Sequence, residues 1–343
     1  MDTQIITNPS EQELNMLASA LRNGELVSIP TETVYGLGAN GLDPEAMDKI
    51  YAAKGRPSDN PLILHVPNSE SIKPLVTEVS NTAQLLMDTF WPGPLTITLP
   101  KSDLVPDRAT GGLPRVALRC PDHKVCRALL ERAGVPVAAP SANISGRPSP
   151  TTAQDVYHDM KGRISYILDA GPCTIGVEST VVEVHDDKVI ILRPGGITKA
   201  QLETVVSTVE YDTALVNATT KPKAPGMKYT HYAPDAPMTV VVGHPEVIAS
   251  TFKELSEGKE GPIGCLVSHE TYDLIKDDTR FMYHCFGHHG DALALGHDFY
   301  KSLLHFNENH VTLILAEGVN DDGFGVAIMN RMEKASGHHI IYK

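Results

Sequence analysis

The stretch KPKAPGMKYTHYAP, residues 221–234, is the feature that most constrains how this 343-residue chain can fold. Its three prolines and one glycine disfavour a helix or a central strand and favour an extended, semi-rigid backbone. It contains Lys221, Lys223 and Lys228 and no acidic residue, whereas the sequence on either side is net acidic. The sequence therefore predicts two acidic domains, residues 1–215 and 237–343, joined by a basic connector, residues 216–236.

The connector carries aromatic groups beside its lysines. Tyr229, His231 and Tyr232 follow Lys228 within four residues. A stiff spacer with incidental aromatic residues would explain this composition. A strand laid over a bound ligand would explain it better, because a passive linker seldom combines cations with aromatic rings.

Short β-rich runs alternate with helix-spaced segments before the connector. The predicted strands are ELVSIP (25–30), PLILHV (61–66), GPLTITLP (93–100), RVALRC (115–120), VPVAAP (135–140), SYILDA (165–170), STVVEV (179–184) and KVIILRP (188–194). Helices are predicted at 44–54, ending near Gly55, and at 124–134, ending at Gly134. This alternation indicates an α/β domain around one large twisted, open sheet, and it leaves open whether that sheet is parallel or mixed.

Alternation is more regular after the connector. Strands are predicted at 238–243, 262–268, 280–286, 311–319 and 338–343, and helices at 245–258, 291–309 and 324–336. A strand followed by a helix, repeated in this way, predicts a small Rossmann-like domain with an open parallel sheet.

Composition excludes several classes of protein. The net charge of −13 argues against broad nonspecific binding to nucleic acid, which needs a basic face. The apolar runs have the length of strands, so no membrane span is expected, and the acidic N-terminus shows no secretory signal. Five cysteines, at 120, 126, 173, 265 and 285, include no CxxC pair, which predicts free and mostly buried thiols in a reducing cytoplasm.

Cationic and hydroxyl side chains cluster in the loops at predicted strand ends. These loops are KGRPSDN (54–60), PTETVYGLG (30–38), APSANISGRPSP (139–150), GVESTVV (176–182) and LRPGG (192–196). They and the strand RVALR carry the cations Lys54, Arg56, Arg115, Arg119, Arg147 and Arg193. Each could be a surface ion pair, but together beside Gly, Ser and Pro they favour a crevice for a polyanion such as ATP.

Other familiar sites are not indicated. The sequence contains no GxxxxGK[ST] loop, no GxGxxG after the first strand and no GxSxG elbow. The segment GFGVA (323–327) is interpreted as a loop entering a helix. His288–His289 and His338–His339 lack the spacing of metal ligands and are interpreted as solvated, so no protein metal site is predicted.

These blocks resemble a known family. PTETVYGLG, AAKGRPSDNPLILH, WPGPLTITL, APSANISGRPSPT and GVESTVV are similar to the YrdC-like domain of the threonylcarbamoyl-AMP synthases. The connector PGMKYTHYAP and the C-terminal sequence resemble the long, two-domain form of that family, so the resemblance covers nearly the whole chain.

The resemblance implies a nucleotidyltransferase reaction. L-threonine, bicarbonate or CO₂, and ATP (with Mg²⁺) would give threonylcarbamoyl-adenylate and pyrophosphate, and separate transfer proteins would then pass the group to tRNA. The family's Lys-x-Arg and Ser-x-Asn pairs, which handle the nucleotide, correspond to Lys54, Arg56, Ser141 and Asn143. Further nucleotide contacts are expected from Asn60, Arg115, Ser149, Arg193 and Tyr232. Threonine contacts are expected from Thr33, His65, Arg119, the Ala139 backbone and Ser179.

A labile adenylate must be kept from water, so residues 225–234 are predicted to close over the nucleotide as a lid. Two alternatives remain at this point. One is an RNA-binding or ribosome-assembly module without catalysis, against which the acidity of the chain counts. The other is carbamoyl-adenylate chemistry on another acceptor, as in hydrogenase maturation, whose enzymes carry CxxC pairs that are absent from this sequence.

Overall fold

The computed structural model describes residues 2–186, 188–215 and 231–343. Most of the predicted connector, including Tyr229 and the three lysines, lies outside the described residues. The chain divides into two units. The first unit comprises the residues before the connector except 146–148 and 175–177, and the second comprises 231–343 together with those two short segments.

The first unit is built on a mixed sheet. Its strands are β1 (Gln4–Thr7), β2 (Val27–Ile29), β3 (Gly36–Asn40), β4 (Ile63–His65), β5 (Leu95–Pro100), β6 (Arg115–Arg119), β7 (Val137–Ala138), β8 (Tyr166–Asp169), β9 (Thr180–Val184), β10 (Val189–Arg193) and β11 (Val209–Tyr211). They lie in the order β1-β8-β2-β3-β7-β4-β6-β5-β9-β10-β11. The pairs β4–β6 and β5–β9 are parallel, whereas β3–β7, β4–β7 and β5–β6 are antiparallel.

Helices cover this sheet. They are α1 (Glu11–Arg22), α2 (Pro44–Lys54), α3 (Asn81–Phe90), α4 (Asp107–Thr110), α5 (Lys124–Ala133), α6 (Ala153–Met160) and α7 (Lys199–Glu203), with 3₁₀ turns at Ser69–Leu75 and Thr213–Leu215. One apolar cluster takes residues from α2, α3 and α6, and another takes them from α1 and α5. The neighbouring residues Val137 and Ala138 fall into different clusters, because successive side chains of a strand point to opposite faces.

The second unit contains a parallel sheet. Its strands are β12 (Met238–Val242), β13 (Ile263–Val267), β14 (Phe281–Cys285), β15 (Leu313–Glu317) and β16 (Ile340–Tyr342), in the order β14-β13-β15-β12-β16. All four pairings are parallel. The helices between the strands are α8 (Pro245–Ser256), α9 (His269–Ile275), α10 (Ala292–Glu308) and α11 (Gly325–Ala335).

The predicted fold class is confirmed. Every run predicted as a strand contains one, and the first sheet is mixed, which the sequence had left open. Helices α1, α3, α4, α6, α7 and α9 and strands β1, β3 and β11 were not predicted. All five cysteines are free and four are buried, as predicted. Within the described ranges, no helix is both long enough and apolar enough to cross a membrane.

Candidate active site

Lys54 is the last residue of α2, and protein encloses its ammonium group. The residue is 2% exposed, and Nζ donates hydrogen bonds to the carbonyl oxygens of Ser141 and, at 2.6 Å, of Asn143. Burial, and then the charge of Arg56, lowers the pKa of Lys54 well below its usual value, while Asp159 opposes this shift. Carbonyl dipoles orient the ammonium group without cancelling a full charge, so this position suits an anionic ligand.

The loop from Lys54 to β4 holds two further predicted residues. Arg56 is half-buried, and its Nη2 donates to the carbonyl of Pro61 at 3.1 Å. Asn60 is 2% exposed, and its Oδ1 has no hydrogen-bond partner among the residues that the structure describes. Buried amide oxygens are usually satisfied, so Oδ1 of Asn60 marks a place for a donor from a ligand or from water.

The Ser-x-Asn segment is tied to its surroundings by backbone bonds. Ser141 forms a β-bridge with Gly36, which lies within the PTETVYGLG segment. Asn143 is buried, and its Nδ2 donates to the carbonyl of Ile144. The N–H of Ile144 in turn donates to Oδ2 of Asp159 at 3.0 Å. The segment that accepts the hydrogen bonds of Lys54 is therefore anchored by a buried carboxylate from α6.

Arg119 ends β6 and lies at the centre of a buried cluster. Its Nη1 donates to Oγ1 of Thr33 at 2.9 Å, and its Nε donates to the carbonyl of Gly93 at 3.3 Å. Nη2 lies 2.7 Å from Oε2 of Glu32, with the two side chains 4% and 8% exposed. Thr33 also shares a hydrogen bond with Thr31. This arrangement fixes the guanidinium plane, which a planar carboxylate can then meet with two parallel hydrogen bonds.

His65 lies beside Arg119 because β4 and β6 pair in register at these two residues. Burial, with the nearby charge of Arg119, lowers the pKa of His65 to about 3, so its imidazole is neutral near pH 7. Its buried Nδ1 has no hydrogen-bond partner within the described ranges. The turn after β7 is adjacent, since the N–H of Ala139 donates to the carbonyl of Ile63.

Ser179 and Arg193 form a second buried group. Arg193 is 5% exposed and donates from Nε and Nη2 to the carbonyl of Ser179, at 3.1 and 2.9 Å, and from Nη2 to its Oγ. Oγ of Ser179 also shares a hydrogen bond with Oγ1 of Thr96. The other predicted serine, Ser149, is fully buried and donates to Oε1 of Glu178 at 2.7 Å.

Backbone contacts bring these groups together. The 140–142 segment bonds to Tyr35 and Leu37, Val66 bonds to the carbonyl of Arg119, and Thr180 bonds to the carbonyl of Pro94, beside Gly93. The loops that carry Lys54, Thr33, His65, Arg119, Ser141 and Ser179 are therefore neighbours in the first unit.

Three predicted nucleotide or anion contacts, Arg115, Arg147 and Tyr232, have other partners. Arg115 begins β6, about 13 Å from Arg119 along the strand, and its Nη2 donates to the carbonyls of Thr98 and Val184. Arg147 belongs to the second unit, where it lies 3.8 Å from Asp235. Tyr232 also belongs there, 5% exposed, with its ring centroid 5.4 Å from that of Tyr300. Their predicted roles stay predictions.

Sequence reasoning missed three buried acids that accompany the cations: Glu32, Asp159 and Glu178, each 7% exposed. Glu32 lies in PTETVYGLG and Glu178 in GVESTVV. An acidic residue among hydroxyl, glycine and apolar residues could have indicated a buried functional carboxylate in both segments. Asp159 lies in a helix that was not predicted, and nothing in the sequence distinguishes it.

Two other features of the described residues are separate from this cluster. A cavity of about 580 Å³ is lined by residues of α2 and of the segments 25–26 and 163–165, and it includes none of the predicted site residues. The paired histidines contact acceptors: His288 meets Glu270, His289 meets Glu317, His338 meets Glu333 and His339 meets the Ser336 carbonyl. All four histidines are exposed, which agrees with their interpretation as solvated, and the ring of His289 also contacts the fully buried Glu317.

The geometry supports binding and electrostatic stabilisation of anions. Lys54, Arg119 and Arg193 are buried cations oriented by hydroxyl and carbonyl groups, and Arg119 also has the carboxylate of Glu32 beside it. Preorganised donors of this kind stabilise charge that develops on phosphoryl and carboxyl oxygens.

Comparison with known proteins agrees with this geometry. The family model for Sua5, YciO and YrdC proteins, described as "Telomere recombination", matches residues 19–195, and the model described as "Threonylcarbamoyl-AMP synthase, C-terminal domain" matches residues 197–337. The threonylcarbamoyl-AMP synthase of Bacillus subtilis is 46% identical over 97% of this chain and 95% of its own length. The enzyme of the same name from Pyrococcus abyssi is 44% identical over 96% of each chain.

A solved structure extends the similarity to three dimensions. The crystal structure of P. abyssi Sua5 complexed with L-threonine superposes with a TM-score of 0.90, at 42% identity, over 99% of this chain and all of that one. Similarity at this level, over both units and in both sequence and fold, establishes the relationship. The chain belongs to the threonylcarbamoyl-AMP synthase family, in the form that carries the C-terminal domain.

Proposed function

We propose that the first unit joins L-threonine, bicarbonate or CO₂, and ATP into threonylcarbamoyl-adenylate, with release of pyrophosphate. The observation that carries this proposal is the buried Arg119, held by Thr33 and Gly93 beside a neutral His65. It is a site for a small carboxylate with polar substituents. Relatives that share this architecture carry the name of the enzyme, and one of them has been solved with threonine.

Threonine would bind with its carboxylate on Arg119. Its hydroxyl and amine would then meet Thr33, Ser179, the Ala139 backbone and the unpartnered Nδ1 of His65. The ammonium group of threonine first releases a proton to solvent or bicarbonate. The neutral amine then attacks the carbon of CO₂ and loses a second proton by the same route. A carbamate oxygen then attacks the α-phosphorus of ATP, and the bond to pyrophosphate breaks.

The nucleotide would lie on the cations at the end of α2. Lys54 and Arg56 face the triphosphate in this proposal, where phosphate charge would favour the charged form of Lys54 against the effect of burial. Ser141, Asn143, Asn60, Ser149 and Arg193 would complete the contacts, with Arg115 and Tyr232 as further expected ones. No side chain is assigned as an obligatory base, because positioning and electrostatics account for the chemistry.

We infer that Mg²⁺ arrives with ATP. Within the described ranges, no group of three or more His, Cys, Asp or Glu side chains is placed to hold a metal ion. The carboxylates near the site are already used by Ser149, Ile144 and Arg119. Magnesium keeps much of its water and binds phosphate oxygens readily, and it would neutralise charge on the phosphates.

The connector, residues 216–236, is proposed as the lid that excludes water from the adenylate. We further propose that the product passes to transfer proteins that modify tRNA and that the protein works in the cytoplasm, where its free thiols persist. Family membership speaks against a purely RNA-binding role.

A pyrophosphate-release assay tests the proposal. Release with ATP and bicarbonate should depend on L-threonine, and Arg119→Gln should raise the KM for threonine about a hundredfold, since hydrogen bonds to a charged partner are strong. Arg132→Gln is the matched control, because Arg132 pairs with Glu11 on the surface of α5. Release that ignores threonine, or an Arg119 variant with normal kinetics, contradicts the proposal.

A further inference from the structure

Glu32 follows β2 and places a carboxylate against the guanidinium of Arg119. Oε2 of Glu32 and Nη2 of Arg119 are 2.7 Å apart, and the side chains are 8% and 4% exposed. No part of the proposed reaction uses Glu32. A buried acid beside the group that binds the substrate carboxylate therefore needs a separate explanation.

The contact between these two residues is electrostatic. Nη2 and Oε2 are close without forming a well-aligned hydrogen bond, and neither oxygen of Glu32 has another hydrogen-bond partner among the residues that the structure describes. The orientation of Arg119 comes instead from Thr33 on Nη1 and from Gly93 on Nε. Glu32 thus contributes a negative charge rather than a geometric anchor.

That charge changes what the pocket attracts. Arg119 alone would give the pocket a charge of +1, and buried charges interact strongly because water screens them little. The Arg119–Glu32 pair is neutral overall, so its electric field weakens quickly beyond the position of the substrate carboxylate. A zwitterion has no net charge, so the charge of Glu32 weakens its binding only slightly. A simple anion binds more weakly, because Glu32 offsets the attraction of Arg119.

We propose that Glu32 acts through Arg119 as a specificity-determining residue, making the pocket select zwitterionic amino acids over hydroxy acids that lack the amine. This inference rests on the proposed function, because it takes Arg119 to be the partner of the substrate carboxylate. Selection of this kind matches a reaction whose nucleophile is the amine.

The test compares two ligands that differ only in the amine. Binding of L-threonine and of its deaminated analogue, β-hydroxybutyrate, is measured by calorimetry on the full chain without ATP. Glu32→Gln keeps the shape of the side chain and removes its charge. It should lower the ratio of the analogue's Kd to threonine's Kd at least tenfold, equivalent to about 1.4 kcal/mol.

Three further variants make the result decisive. Glu32→Asp keeps the charge and should keep the wild-type ratio even if both ligands bind more weakly. Glu317→Gln removes another buried carboxylate, in the second unit, and should leave the ratio unchanged. If Glu32→Gln does not fold, Glu32→Asn provides a second neutral side chain for the same measurement.

Each outcome has a definite reading. A ratio unchanged in the neutral variants, with threonine still bound, overturns the role of Glu32 while leaving the proposed function intact. An equal shift in Glu32→Asp also overturns it, because the effect would then follow shape rather than charge. Wild-type protein that binds neither ligand and releases no pyrophosphate overturns the proposed function itself.

Discussion

Lys54 shows how a single residue connects the fold to the proposed chemistry. Lys54 is the last residue of α2, and its ammonium group donates hydrogen bonds to the carbonyls of Ser141 and Asn143. These bonds join two segments that are far apart in the sequence, so the same contacts that position the cation also fasten the Ser-x-Asn segment. The residue is expected to matter for both stability and activity.

Replacing Lys54 by alanine should lower both stability and activity by more than replacing an exposed lysine does. Two carbonyls would lose their donor, at about 1–3 kcal/mol for each one left unsatisfied, and pyrophosphate release should fall about a hundredfold. Lys49→Ala is the control, since Lys49 lies on the same helix, is exposed and donates to the Gly24 carbonyl. Thermal unfolding and the pyrophosphate assay measure the two effects, and equal activities of the two variants would refute the role of Lys54.

His65 should make the first unit sensitive to acid. Its pKa is about 3 in the folded protein, against about 6.5 for a solvated histidine. Between these values the unfolded chain holds a proton that the folded protein lacks, so its contribution to stability is complete above about pH 6.5 and is lost as the pH falls. The loss amounts to about 1.4 kcal/mol per pH unit.

A comparison of wild type with His65→Gln isolates this contribution. Relative to the variant, the wild type should lose about 2 kcal/mol of unfolding free energy between pH 7 and pH 5. Urea unfolding followed by fluorescence is suitable, because Trp91 is the only tryptophan in the sequence and lies in the first unit. Parallel pH dependences of the two proteins would show that His65 is not buried in its neutral form.

At the scale of elements, the end of α2 decides where the two cations of the Lys-x-Arg pair point. Asp43 caps the start of the helix, and Gly55 ends it in the left-handed conformation with φ of 63°. A residue with a Cβ atom is strained in the left-handed conformation. Replacing Gly55 would therefore change the backbone at the end of the helix and displace Lys54 and Arg56.

Gly55→Ala should therefore reduce both stability and ATP binding. We expect a loss of about 1 kcal/mol from the left-handed backbone and a severalfold rise in the KM for ATP. Gly134→Ala is a close control, because Gly134 ends α5 with φ of 67° and both positions are open to an added Cβ. The control should lose similar stability with unchanged kinetics, and a normal KM in Gly55→Ala would show that the helix end is not critical.

At the scale of the whole molecule, the second unit holds residues 231–236, the C-terminal end of the connector. Tyr232 adopts a φ of 66° and is buried, with Tyr300 beside its ring and the guanidinium of Arg331 5.7 Å from its centroid. Arg331 itself is fully buried. The second unit thus fixes one end of the proposed lid.

Truncation tests this dependence. Deleting residues 216–343 should abolish adenylate formation while the first unit stays folded, and a chain of residues 1–236 should not recover the full rate, because Tyr232 would lack Tyr300 and Arg331. Pyrophosphate release gives the activity and Trp91 fluorescence gives the folding. Full activity in the shorter chain would refute the lid, and full activity in the longer one would show that the connector works without the second unit.

The sequence by itself determined the strand runs, the division into two parts and the loops that hold the candidate site residues, because hydrophobic periodicity and turn residues are local signals. Helix α1 could also have been found, since Ser10 and Glu13 form a capping box at its start. Local patterns give the face of a strand on which a side chain lies, but not its partners. Only the tertiary structure showed that Arg119 meets Glu32 while Arg115 donates to backbone carbonyls, and that Lys54 reaches the 141–143 segment, because these partners are distant along the chain.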